Sequence, residues 1–62
     1  MKISYDTKDR LIEAAAGKMA EDDGDPYDRR YGASYRLWTG RAQIAVDAVL
    51  SELDIQVGYD DE

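Results

Sequence analysis

Hydrophobic positions recur at helical spacing near the start of the chain. In residues 7–21, TKDRLIEAAAGKMAE, they follow the i, i+3, i+4, i+7 pattern of one helix face. Asp6 or Thr7 can cap this helix by accepting from its first free N–H groups. Gly24 is a natural stop. The predicted inward face consists of Leu11, Ile12, Ala15, Ala16 and Met19.

A second, longer helix is predicted over residues 26–53. Asp25-Pro26-Tyr27-Asp28 is a helix-start signal, because Asp suits the N-cap, Pro suits the first helical position, and an acid favours the positive end of the helix dipole. One apolar stripe then continues at intervals of three or four residues: Tyr27, Tyr31, Tyr35, Trp38, Ala42, Ala45, Val49 and Leu53. This unbroken phase favours one helix. The alternative is a short helix over 26–31 that ends at Gly32, with Ser34 capping another.

These elements predict an all-α fold, an antiparallel helical hairpin joined by a short loop. Its predicted core is Leu11, Ile12, Ala15, Met19, Tyr31, Tyr35, Trp38 and Ala42, with Trp38 against the small Ala15 and Ala16. Residues 1–62 then form a single small helical domain. The ends alternate apolar and polar residues at Ile3 and Tyr5, and at Ile55, Val57 and Tyr59, so both can form short extended segments. For residues 55–62 a frayed terminus is favoured, because an isolated two-stranded pair is only marginally stable, and residues 1–5 can fray as well.

The unequal lengths of the two helices predict self-association. At 1.5 Å per residue they span about 22 Å and about 42 Å, so the first covers only about residues 26–41 of the second. The most apolar segment, AQIAVDAVLSEL, is left uncovered. We therefore expect a homodimer around a two-fold axis. Its predicted interface is Ile44, Ala45, Ala48, Val49 and Leu53; if the chain is monomeric, the same patch is expected to bind another protein.

Composition narrows the chemistry that the chain can support. A chain of 62 residues is marginal alone, and with neither Cys nor His it has no disulfide and no soft zinc ligand. The usual nucleophile–base pairs cannot be built either. An EF-hand alignment of Asp23, Asp25 and Tyr27 places Asp28 where Gly is required and Ser34 where Glu is required. We therefore predict no enzyme, no catalytic residues, no cofactor and no metal.

The charge pattern bears on partners and location. The net charge of −6 combines +1 over residues 1–20, −5 over 21–28, +4 over 29–46 and −6 over 47–62. An acidic balance argues against nucleic-acid binding, which relies on phosphate neutralisation. The arginines of the positive block are interleaved with tyrosines, as in single-strand binders, but ion pairing across the solvent face and with the acidic loop and tail is favoured: Arg29, Arg30, Arg36 and Arg41. No apolar run of about 18 residues and no signal peptide is present, which predicts a cytoplasmic protein with no membrane partner.

Three functions fit this description. The first is binding to an unidentified protein partner as a homodimer. The second is acidic mimicry that inhibits a nucleic-acid-binding protein, because carboxylates cluster toward one end: Asp47, Glu52, Asp54, Asp60, Asp61 and Glu62. The third is a structural assembly subunit, favoured if the dimer leaves no further apolar patch.

The segments LIEAAAGKMAEDDGDP and YGASYRLWTGRAQIAVDAVL combine an Ala-rich helix, an acidic Gly/Asp turn, and a helix with an aromatic and arginine-containing start and an Ala-rich end. Over about residues 10–50 this pattern resembles small acidic helical-hairpin proteins of actinobacterial bacteriophages. The resemblance implies a phage-encoded accessory protein that binds and modulates a host protein. It transfers no site residues.

Overall fold

The computed structural model describes residues 1–58, which form two packed helices with short extended ends. The elements are strand β1 (Lys2–Ile3), helix α1 (Tyr5–Asp23), helix α2 (Gly32–Glu52) and strand β2 (Gln56–Val57). The predicted all-α hairpin is therefore confirmed. Tyr59 and the rest of the predicted frayed end lie outside the described residues.

Helix α1 is capped by a side chain at its start and by the backbone at its end. The Ser4 hydroxyl accepts from the backbone N–H of Thr7 at 3.1 Å, so capping by Asp6 or Thr7 was a wrong prediction. At the other end Gly24 adopts φ 83°, as its predicted role as a stop requires. The N–H of Gly24 donates to Glu21 O at 3.1 Å and the N–H of Asp25 donates to Ala20 O at 3.0 Å. This pair of bonds satisfies carbonyls that a helix end leaves free.

Helix α2 begins at Gly32, so the predicted continuous helix over residues 26–53 is wrong at its start. The two acids of the expected start signal have other partners. The Asp25 carboxylate accepts from the Trp38 indole N–H at 3.2 Å, and that of Asp28 accepts from the backbone N–H of Arg30 at 2.9 Å. Neither acid caps a helix. The alternative was right that no continuous helix passes through Gly32, but no helix forms over 26–31 and Ser34 lies inside α2 rather than capping it.

The late start makes the helices nearly equal in length, with 19 residues in α1 and 21 in α2. Helix α1 consequently extends beside the C-terminal half of α2, where Val46 and Leu50 are buried. Lys8 Nζ lies 2.8 Å from the Asp47 carboxylate at the same end. The prediction that α1 covers α2 only to about residue 41 is therefore wrong, and the length argument for a dimer no longer applies.

Equal helices also bring the two chain ends together. Strands β1 and β2 pair in parallel, with Lys2 opposite Gln56 and Ile3 opposite Val57. The N–H of Gln56 donates to Met1 O and the N–H of Gly58 donates to Ile3 O, both at 3.0 Å. The favoured frayed terminus is therefore wrong for residues 55–58, and fraying of residues 1–5 is wrong as well. The apolar side chains of this pair pack against the helical core, and this packing supplies stability that a free pair lacks.

The core is a double row of buried side chains between the helices. On α1 the row is Ile12, Ala16 and Ala20; on α2 it is Trp38, Ala42, Val46 and Leu50. Both rows advance by four residues, which is the spacing of i±4 ridges that interdigitate in packed helices. Ala16, Ala20 and Ala42 have no exposed surface, so small side chains meet where the backbones approach.

Two glycines give a matched test of this backbone. Gly40 lies inside α2, and a methyl group added to its Cα would meet no other atom within 4 Å, whereas Gly24 has a positive φ. We expect Gly40→Ala to raise the free energy of unfolding by about 0.5–1 kcal/mol, and Gly24→Ala to lower it by about 1 kcal/mol. Urea denaturation at one fixed protein concentration measures both. A Gly24→Ala chain as stable as the wild type would contradict the left-handed cap.

Candidate protein-interaction surface

The hairpin leaves one apolar face uncovered. The molecule measures 39 × 22 × 13 Å, so its shortest dimension is close to the diameter of a single helix. Large apolar side chains are solvent-exposed on both helices and at the end of α2: Leu11 by 43%, Ile44 by 73%, Val49 by 55% and Leu53 by 63%. We call this set of exposed side chains, with the alanines beside them, the apolar face. Its members are Leu11, Ala15, Ile44, Ala45, Ala48, Val49 and Leu53.

A shallow groove runs between the helices along the apolar face. It has a volume of about 270 Å³ and only apolar residues line it: Leu11, Ala15, Ala45, Val46, Val49 and Leu50. Val46 and Leu50 form its floor because they are the buried members of the set. Leu11 stands on its α1 rim, and Ala45 and Val49 stand on its α2 rim. Such a groove fits an apolar side chain from another surface.

The structure places every predicted interface residue on the surface of the single chain. Ile44, Ala45, Ala48 and Val49 are exposed along α2, and Leu53 is exposed at its C-cap. Leu11 joins them from α1, although the sequence had indicated it as core. Of these six residues, Leu11, Ala45 and Val49 are brought together around the groove, and the dimer itself stays a prediction.

The predicted core residues divide into three groups. Ile12, Trp38 and Ala42 are buried, whereas Ala15, Met19 and Tyr35 are partly buried. Leu11 and Tyr31 are exposed, so a core position was wrong for both in the single chain. Tyr31 precedes α2 and its ring lies near the Arg30 guanidinium instead. Leu11 lies one residue, and hence about a quarter-turn, from the buried Ile12.

Two core residues were missed on α2. Beyond Ala42 the apolar stripe can continue through Ala45 and Val49 or through Val46 and Leu50, since both pairs are apolar. The structure buries Val46 and Leu50. A signal for them was present in the sequence. From Trp38 onward an apolar residue recurs at every fourth position of α2, as it does from Ile12 on α1, and rows with the same spacing can interdigitate.

The opposite side of the hairpin is polar and aromatic. The rings of Tyr27 and Tyr35 stack with centroids 4.9 Å apart, and the Tyr27 hydroxyl lies 3.0 Å from that of Thr39. The Tyr35 hydroxyl donates to the Glu13 carboxylate at 2.7 Å, and the Arg29 guanidinium donates to the same oxygen at 3.3 Å. We call these five residues the tyrosine cluster. It fastens the loop of residues 24–31 to both helices, so it has a structural role.

Two arginines of the positive block thus have carboxylate partners, as the ion-pair interpretation expected. Arg29 contacts Glu13 on α1, and Arg30 forms an ion pair with Asp28 inside the loop at 3.1 Å. The guanidinium of Arg41 lies over the Trp38 ring, 5.0 Å from its centroid. Arg41 therefore lies beside the apolar face, at the N-terminal end of its α2 portion.

The tyrosine cluster makes stability depend on pH. The hydrogen bond from Tyr35 holds the pKa of Glu13 below its ordinary value of 4.5, and the Arg29 guanidinium lowers it further. The same bond raises the pKa of Tyr35. A carboxyl with a depressed pKa in the folded state stabilises the fold above its unfolded pKa, and this contribution is lost as the pH falls through the folded value.

Below about pH 4.5 we expect the free energy of unfolding to fall less steeply with pH in Glu13→Gln than in the wild type. The reason is that the glutamine cannot be protonated in this range. Urea midpoints measured between neutral and acidic pH test this. Asp9→Asn, which removes a carboxylate of the same helix outside the cluster, is the matched control and should keep the wild-type slope. Equal slopes for Glu13→Gln and the wild type would contradict a role for the cluster.

The described residues show neither a metal site nor a membrane span. Within residues 1–58 no group of three or more acidic side chains is arranged to hold a metal ion. In the same part of the chain, neither helix has an apolar stretch that could cross a bilayer. No protein-family model matches the sequence, and no curated protein and no solved structure is significantly similar to it. The apolar face is thus the feature that can be developed into a function.

Proposed function

We propose that this chain is a non-enzymatic protein-interaction module that acts as a homodimer. The observation that carries the proposal is the apolar face, which a chain of only 62 residues leaves open. Full burial of a Leu, Ile or Val side chain is worth about 1.5–3 kcal/mol. Leu11, Ile44 and Val49 are 43%, 73% and 55% exposed in the single chain, so covering each one gains roughly half of that amount. The sum is still a sizeable fraction of the stability of a domain this small.

The dimer is proposed to work by binding a further protein. The resemblance to small acidic phage proteins supports a host protein as that partner, and the cytoplasm is the proposed location. The single chain also exposes an aromatic and an aliphatic side chain that are not members of the apolar face, Tyr31 and Leu37. Tyrosine in particular is a frequent anchor of protein–protein contacts.

A capture experiment in an actinobacterial lysate tests this function. A tagged wild-type chain should retain a defined protein at a fixed stoichiometry. Val49→Asp, which places a charge in the apolar face, should lose that protein if binding needs the dimer. Gln43→Asp adds the same charge on the polar side of α2 and is the matched control that should retain it. Capture equal for all three chains would contradict a role for the dimer, and no specific capture would contradict the function.

Salt separates this function from acidic mimicry. Contacts between exposed charges weaken as ionic strength rises, whereas an apolar contact does not. We expect the captured protein to stay bound at high salt. Release at high salt would instead favour a mimic that uses carboxylates such as Asp54 at the end of α2; Asp60, Asp61 and Glu62 of the predicted acidic cluster lie outside the described residues.

A further inference from the structure

We infer that the two copies pair through α2 in an antiparallel register centred between Val46 and Asp47, an inference that rests on the proposed homodimer. It specifies which residues meet. The partner is a second copy of this chain, and the recognition elements are an alanine seam with a charge of opposite sign at each end. The pairing follows from the positions of six exposed residues on α2.

Four of them form the seam. Arg41, Ala45, Ala48 and Glu52 are all exposed and are spaced by four, three and four residues. That spacing keeps them on one line along the helix, as the inward positions of an antiparallel coiled coil are kept. The small Ala45 and Ala48 at its centre let another helix approach closely. The exposed Ile44 and Val49 flank the seam on its two sides.

The seam is self-complementary about its midpoint. A two-fold axis perpendicular to α2, passing between positions 46 and 47, brings residues equally far from that midpoint to the same level. Arg41 then faces the partner's Glu52, and Ala45 faces the partner's Ala48. Ile44 and the partner's Val49 also share a level. Isologous interfaces need a surface that matches itself in this way.

The end of α2 provides an independent argument for the charge pair. Glu52 is the last residue of α2, where the helix dipole is negative, and the last turn has no basic residue. Within residues 1–58 Glu52 has no ion-pair partner. Stacking on Trp38 places the Arg41 guanidinium 5.0 Å from the ring centroid and leaves its N–H edge available. The partner's Arg41 would therefore neutralise both Glu52 and the helix end.

The same charges exclude the parallel arrangement. In a parallel pair, Arg41 would face the partner's Arg41 and Glu52 would face the partner's Glu52, and like charges in contact repel. The antiparallel pair also stacks one hairpin on the other, so that each α1 lies beside the interface and Leu11 extends it. Four helices then form one bundle in which neighbouring helices are antiparallel.

Charge reversal tests the register. Arg41→Glu and Glu52→Arg should each raise the dimer dissociation constant at least roughly tenfold at low salt, because each creates two like-charge contacts. An equimolar mixture of the two variants should form a heterodimer of about wild-type affinity, since both of its charge pairs are attractive. Native mass spectrometry resolves the three dimer species. Circular dichroism checks that each chain is folded.

The absence of cysteine from the chain allows a second measurement that leaves Arg41 and Glu52 unchanged. A mixture of Ala45→Cys and Ala48→Cys chains should form an intermolecular disulfide faster than either variant alone, because these positions face each other across the axis. If the wild type is dimeric but neither heterodimer preference nor preferential cross-linking is seen, the register is wrong and the dimer stands. A wild type that is monomeric at high micromolar concentration would overturn the proposed dimer itself.

Discussion

Trp38→Ala is expected to leave the chain largely unfolded at room temperature. The Trp38 side chain is only 5% exposed and lies in the single core between the helices. Truncating a buried Trp to Ala costs about 3–5 kcal/mol, which is about the whole stability that a core of this size supplies. Far-UV circular dichroism should therefore show the loss of most helical signal.

Trp38→Phe is a more conservative substitution at the same position. It keeps an aromatic ring in the core but removes the indole N–H that donates to Asp25 at 3.2 Å. We expect a folded protein whose free energy of unfolding is lowered by about 1–2 kcal/mol, through the lost hydrogen bond and the smaller ring. A Trp38→Ala chain within about 1 kcal/mol of the wild type would contradict the packing described for the core.

If the chain forms the proposed homodimer, Val49→Asp is expected to convert it into a folded monomer. Val49 is more than half exposed in the single chain, so a carboxylate there is solvated in the monomer and the hairpin keeps its core. In the dimer the same carboxylate would be buried against apolar side chains, and an unpaired charge in such a place is costly. We expect the dissociation constant to rise at least about a hundredfold, with the helical content of the monomer retained.

Gln43→Asp is the control for that variant. It adds an equal charge to α2 outside the apolar face, and should leave the dimer intact. Leu53→Asp should weaken the dimer less than Val49→Asp, because Leu53 caps α2 at the edge of the apolar face. A Val49→Asp chain that stays dimeric at the wild-type dissociation constant would place the interface elsewhere.

The sequence predicted the two helices better than it predicted the loop of residues 24–31 that joins them. Apolar spacing identified both helices, and Gly24 marked the end of α1, because these signals depend on a few neighbouring residues. The start of α2 was predicted six residues too early. Asp25 and Asp28 are ordinary helix-start residues, but here the Asp28 carboxylate closes a local turn with the N–H of Arg30. The Asp25 carboxylate accepts from Trp38, thirteen residues away, which only the tertiary structure shows.

Two further errors concern the chain ends and the inward face of α2. A second helix over residues 26–53 would extend well beyond the first, so the pairing of Ile3 with Val57 was not predicted. The choice between Val46 and Ala45 as the inward position depends on how two helices cross, which local spacing does not define. Exposure of the predicted interface residues on α2 was nevertheless right, although the unequal helix lengths from which it was inferred are not observed.

Sedimentation equilibrium of the wild-type chain over a range of concentrations tests the proposed homodimer most directly. We predict a mass of twice the 7.0 kDa chain at micromolar concentration, with dissociation on dilution. High salt should leave this dimer largely intact, since its centre is apolar. A mass of 7.0 kDa that persists to high micromolar concentration would contradict the homodimer, because the apolar face would then remain uncovered by a second copy.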